Sequence, residues 1–301
     1  MAHILLALFP LIALIATGYF FKKYHFFTNE FWAGAEKLNY YVLFPSLLFH
    51  TLATANIDPH SLKTVIATMF IVLFIITSAF YILRFFKRIP PARFGVHVQS
   101  LIRFNTYIGL ALVAALYHKE GMAILAILLA ICVPIVNIIS VLALTPSEQM
   151  SFRAVVIALI KNPLILSCIL GGLVNALQIP IWEGLMNLLK LFSASSLPLG
   201  LLCVGAALQF MEMKKDVPVL MLDTFARLLL MPVLAYVVCL WFGLSKLESQ
   251  ITVIFFALPT ASAAYILTKV LKGDSQLMAA VISLQTLCAA VTLPWVIWWV
   301  G

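Results

Sequence analysis

Between Arg103 and Gly109 the sequence reads Arg-Phe-Asn-Thr-Tyr-Ile-Gly, which puts a guanidinium, an amide and a hydroxyl inside a segment otherwise apolar enough to span a bilayer. Polar groups at membrane depth are costly unless they face protein or a water-filled cavity, so such a cluster marks a candidate site. Gly109 can let the backbone leave helical geometry and expose its own polar groups. A second interruption stands at Ala257-Leu258-Pro259-Thr260-Ala261-Ser262-Ala263-Ala264, where Pro259 removes a helical hydrogen bond and the small residues admit a close backbone neighbour. Two half-helices whose N-termini meet at mid-membrane present unpaired N–H groups and positive dipole ends, which attract an anionic group. The competing reading is interhelical polar glue beside an ordinary proline kink. Arg103 and Asn105 are two residues apart, about 200° around a regular helix, so both face one cavity only if the helix is already interrupted there. Asn105 is the expected direct contact, with Thr106, Pro259, Thr260 and Ser262 around it and Gly109 and Pro259 as the hinges of the crossover.

Other polar residues at depth are Asn39, His50, Asn137, Asn187 and Gln285. Asn137, soon after Pro134, either lines the same cavity as Asn105 or bonds between helices. His50 is a candidate for proton coupling, against the commoner packing role of a lone histidine. Asp223 and Arg227, spaced i,i+4, are expected to neutralise each other, and Asp223 is the only carboxylate placed inside a span. That leaves carboxylate-built sodium or metal sites without support, while a carbonyl-built sodium site stays open. No metal and no cofactor are expected.

The elements that must hold these residues follow from composition. Of 301 residues 64% are hydrophobic and 10% charged, and the mean hydropathy is +1.10. These values describe an all-α polytopic membrane protein with no room for a separate soluble module. Apolar runs give ten candidate spans, at 4–21, 38–55, 62–83, 94–117, 122–144, 154–177, 185–210, 219–242, 251–271 and 277–300. The net charge of +8 comes from basic residues scattered through short loops, which argues against a nucleic-acid partner. Cys132, Cys168, Cys203, Cys239 and Cys288 all lie in apolar segments and read as packing residues. The N-terminal apolar run has no basic residue ahead of it and is long enough to span, so a cleaved signal peptide is not expected.

Loops after odd-numbered spans carry Lys22, Lys23, Arg84, Lys87, Arg88, Arg93, Arg153, Lys214, Lys215, Lys269 and Lys272, against Lys63, Lys119 and Lys246 after even-numbered ones. The positive-inside rule then makes the odd loops cytoplasmic and puts both termini outside. At a shift of 153 residues Pro10-Leu11-Ile12 matches Pro163-Leu164-Ile165, Gly18 matches Gly171, Lys37-Leu38 matches Lys190-Leu191, Pro45 matches Pro198 and Leu48 matches Leu201. Five spans per copy is an odd number, so the second copy enters the membrane inverted. The expected organisation is a first five-helix repeat at 1–144, a cytoplasmic linker at 145–153 and a second, inverted five-helix repeat at 154–301, with broken helices crossing in spans four and nine.

The stretches Leu38-Asn39-Tyr40-Tyr41-Val42-Leu43-Phe44-Pro45-Ser46-Leu47-Leu48-Phe49, Asn105-Thr106-Tyr107-Ile108-Gly109-Leu110, Lys161-Asn162-Pro163-Leu164-Ile165 and Ala257-Leu258-Pro259 resemble the auxin efflux carrier family, which includes plant PIN-type exporters and bacterial malonate-permease-like proteins. The resemblance covers nearly the whole chain. It implies a secondary transporter of a small organic anion, a carboxylate, working by alternating access, with spans three to five and eight to ten moving as a unit in a bacterial inner membrane. It carries the family's span-four Asn-Thr onto Asn105 and Thr106 and its span-nine proline onto Pro259. One departure is Ala111, where members usually have a proline. Substrate, direction, oligomeric state (a homodimer among the options) and the choice between proton and sodium coupling stay open. An intramembrane enzyme and a non-transporting subunit or receptor are the other classes. His-Glu-x-x-His, Gly-x-Ser-x-Gly, Gly-x-Gly-Asp and a phosphate-binding Gly-x-x-x-x-Gly-Lys-Ser/Thr are all missing, which argues against the enzyme and against ATP hydrolysis.

Overall fold

Helix caps and prolines decide where this apolar chain is cut. A computed structural model describes residues 2–55, 59–87, 89–144, 162–209 and 216–301. The linker 145–153, the start of the sixth segment, Lys161, Arg88, Lys214, Lys215 and the end of the seventh segment at Phe210 lie outside the described residues. Every element among the described residues is helical: α1 Ala2–Lys23, α2 Asn29–Leu38, α3 Phe44–Ala53, α4 Pro59–Lys87, α5 Pro91–Ile102, α6 Thr106–Leu144, α7 Pro163–Ala176, α8 Glu183–Ala206, α9 Val217–Phe225, α10 Met231–Phe242, α11 Lys246–Ala257, α12 Ala263–Val270 and α13 Ser275–Val300. Six stretches among them are long and apolar enough to cross a membrane. One of these, Pro91–Leu144, is not a single rod: it breaks between α5 and α6, and again inside α6 at His118 (φ 49°, ψ −142°).

The second segment starts earlier than its hydropathy suggests. Thr28 accepts the Phe31 N–H and opens α2 at Asn29, which draws Glu36 and Lys37 into the helix. Ser245 and Glu248 form a reciprocal capping box that opens α11, and Gly243, at φ +64°, closes α10. Two π-turns, Asn39–Leu43 and Ala226–Leu230, each stand just ahead of a proline, Pro45 and Pro232. A proline has no N–H for the carbonyl four residues back and its ring crowds that carbonyl, so a widened turn relieves both problems.

Packing divides the helices into two groups. α1, α2, α3, α7 and α8 pack on one another, and so do α4, α5, α6 and α9 to α13; α6 and α1 make most of the contact between the groups. Within the first group backbones touch. A Cβ on Gly18 would lie 2.0 Å from the Leu202 carbonyl oxygen, and one on Gly171 would lie 2.8 Å from that of Phe49. Gly18 and Gly171 are partners at the 153-residue shift, and so are Phe49 and Leu202. Arg93, ahead of the crossover, forms an ion pair with Asp216 and reaches Asp274 Oδ2 at 3.4 Å, gathering three odd-numbered loops on one side.

Candidate functional site

The fourth and ninth segments are both broken, and the breaks are bonded to each other. α5 ends at Ile102, Arg103 is extended (φ −86°, ψ 134°), and α6 starts at Thr106. α11 ends at Ala257, Leu258 is extended (φ −63°, ψ 141°), and α12 starts at Ala263. The Asn105 N–H donates to the Pro259 carbonyl at 2.8 Å, which satisfies two backbone groups that the breaks would leave orphaned in a dry core. Phe104 packs on Phe255 with ring centroids 4.2 Å apart.

Thr260 is the second tie. Its N–H donates to Gln285 Oε1 at 3.0 Å, and its hydroxyl lies 2.8 Å from the Ser100 carbonyl and 2.6 Å from Gln285 Oε1, with one proton to give to either. Thr260→Val removes that donor from a fully buried position, so it should cost about 1–3 kcal/mol of stability. A thermal unfolding midpoint unchanged from that of the parent protein would show that the tie contributes nothing.

A cavity of about 540 Å³ opens beside the crossover. Arg103, Asn105, Thr106, Asn137 and Ser262 line it; Pro259 and Thr260 do not, being buried behind it in the ties just described. Asn105, 2% exposed, caps α6 through Oδ1, which accepts the Ile108 N–H at 3.2 Å. Its Nδ2 is buried with no hydrogen-bond partner. Arg103 donates to Gln99 Oε1 at 3.2 Å and to Asn137 Oδ1 at 2.7 Å, so Asn137 serves as a bracket for the guanidinium. Because Arg103 is extended, it and Asn105 face one cavity despite their spacing.

Two expectations change. Gly109 is not where the chain leaves the helix: its N–H donates to the Asn105 carbonyl at 3.0 Å, and its missing Cβ makes room for Leu258, which would lie 2.6 Å away. Asp223 and Arg227 do not pair. Asp223 instead holds His97 Nδ1 at 2.9 and 3.1 Å, and Arg227 donates to the carbonyls of Leu258 and Leu101, so each is committed to a partner on another segment. His50 sits in the last turn of α3 and is not part of the cavity wall. Four further residues line the cavity that the sequence did not mark as site residues: Glu36 and Lys37, brought into α2 by its early start, Tyr40, and Asn162, which caps α7 at the cavity edge. The Thr28 cap was the available signal for Glu36 and Lys37.

The family model described as membrane transport protein matches residues 3–297. The chain belongs to that family, the family of the auxin efflux carriers. This membrane transport protein is therefore an integral, multi-pass membrane protein built of helices. No curated protein matches it.

Proposed function

We propose that this membrane transport protein carries a small organic anion, a carboxylate, by alternating access, with the anion held in the cavity beside the crossover. One observation carries the reading: the N-terminal ends of α6 and α12 open on the same cavity beside an Asn105 amide donor that has no partner. Each helix start carries roughly half a positive charge, and Arg103 adds a whole one in the same wall. Thr106 and Ser262 supply hydroxyls at the two helix starts. Nothing in this arrangement needs a covalent step, so the protein is read as a transporter and not as an enzyme.

The reading extends to architecture. Ten spans in two inverted repeats account for the pairing of Gly18 with Leu202 and of Gly171 with Phe49, since a two-fold relation between halves maps one contact onto the other. The group containing the crossover is the moving body, and α1, α2, α3, α7 and α8 form the scaffold. Both chain ends lie outside a bacterial inner membrane. Labelling a single cysteine near residue 90 with an impermeant thiol reagent decides the orientation: reaction in intact cells would reverse it.

The test is uptake of labelled mono- and dicarboxylates by purified protein in proteoliposomes, with proton and sodium gradients varied independently. Saturable uptake of at least one carboxylate is expected, and a cross-link tying the α6 start to α3 should stop it. If no carboxylate is carried or bound, the organic-anion reading is lost and the receptor reading takes its place.

A further inference from the structure

Arg227 is fully buried, and its guanidinium joins the two broken segments at the ends opposite to the anion cavity. Nε donates to the Leu258 carbonyl at 2.6 Å, and Nη1 donates to the Leu101 carbonyl. Those carbonyls belong to the C-terminal ends of α11 and α5, where no further helical N–H exists to receive them. A helix C-terminus carries about half a negative charge, so two of them facing each other inside a membrane repel unless a cation stands between them. One guanidinium matches the two ends in charge. Nothing else cancels it: among the described residues no carboxylate is in ion-pair distance of Arg227, because the nearest along the chain, Asp223, is taken by His97.

We propose that Arg227 is a positioning residue that acts as a built-in cation of the crossover, filling the role that a bound sodium ion would otherwise have to fill at these carbonyls. Anion binding on the other face then needs no sodium. Arg227 stands in the π-turn Ala226–Leu230, between α9 and α10. Backbone carbonyls at broken helices are the usual ligands of alkali cations in membrane carriers, which is why one tethered cation can replace a diffusing one. The remaining nitrogen, Nη2, is buried without a partner, so the guanidinium is not saturated by its two carbonyls.

The transport arm of the test rests on the anion-carrier reading, and the unfolding arm does not. In detergent, the parent protein should unfold at the same temperature in sodium chloride and in choline chloride. Arg227→Ala should unfold at least 5 °C lower, and guanidinium chloride at about 10–50 mM should recover at least half of that shift, saturably, while leaving the parent protein unchanged. A simple packing defect would not respond to guanidinium. Arg227→Lys, which keeps the charge and loses the fork, should fall between the two. An Arg227→Ala protein as stable as the parent, or one lowered but indifferent to guanidinium, would overturn the proposal. Should Arg227→Ala fail to accumulate, Arg227→Lys and the parent protein still decide it: a parent whose unfolding temperature rises by several degrees on exchange of choline for sodium has a sodium site that the built-in cation should have made unnecessary. In proteoliposomes, anion uptake by the parent should be equal in the two salts. A parent that carries no anion at all sinks the carrier reading while the unfolding arm still judges Arg227.

Discussion

Replacing Asn105 with alanine should weaken binding of the carried anion about ten- to hundredfold, the equivalent of one hydrogen bond of roughly 1.5–3 kcal/mol to a buried charged ligand. The same change removes the α6 cap and so should also lower stability by about 1 kcal/mol. Asn105→Asp separates the two effects. It keeps an oxygen for the Ile108 N–H but replaces the free Nδ2 donor with a negative charge, so it should fold as stably as the parent and bind no measurable anion. Arg103→Gln should cost less than Asn105→Asp, because two of the guanidinium donors are already committed to Gln99 and Asn137. Equilibrium binding to detergent-purified protein, with unfolding midpoints measured alongside, checks all three. Normal binding by Asn105→Ala together with none by Arg103→Gln would move the anion from the amide to the arginine.

Adding one methyl group at the α1–α8 contact should be more damaging than removing most side chains. A Cβ at Gly205 would stand 1.9 Å from the Ile15 carbonyl oxygen, and one at Gly18 stands 2.0 Å from that of Leu202. Both obstacles are backbone and cannot swing aside, so Gly18→Ala and Gly205→Ala must push two helices apart, at the upper end of the roughly 1–3 kcal/mol typical of overpacking or beyond it. Gly34→Ala and Gly172→Ala are the controls. Each lies in a helix with open space where the methyl would go, so each should be neutral or slightly stabilising, by up to about 1 kcal/mol. Melting curves followed by size-exclusion chromatography distinguish the two pairs. Four variants behaving alike would mean that the α1–α8 contact is not a tight one.

The sequence announced the breaks better than it announced their wiring. Pro259 and the Arg103 to Thr106 cluster stand out because polar groups and proline are conspicuous against an apolar background, and the structure breaks both helices there. Gly109 was a less reliable guide: a glycine marks either backbone freedom or a close neighbour, and Leu258, distant in sequence, makes it the second. The partners of Arg227 were unreadable for another reason. They are main-chain carbonyls, which every residue has, and they belong to segments 31 and 126 residues away. Hydropathy starts the second span at Leu38 and leaves Glu36 and Lys37 just outside it, because it sees charge but not the Thr28 cap that makes them helical.

The mutual bonding of the two breaks also sets an order for making the protein. When α5 and the start of α6 leave the ribosome, the carbonyls of Ser100 and Leu101 and the N–H of Asn105 have no partners, because Arg227, Pro259 and Thr260 have not been synthesised. The last of these follows Asn105 by about 155 residues, a wait of roughly 8 to 30 seconds at ordinary rates of translation. During that interval three polar backbone groups meant for the membrane interior must be sheltered by the insertion machinery, by water or by a chaperone. A nascent chain stalled before residue 227 should therefore be a better substrate for membrane quality-control proteases than one stalled after residue 285, although both contain the complete first half.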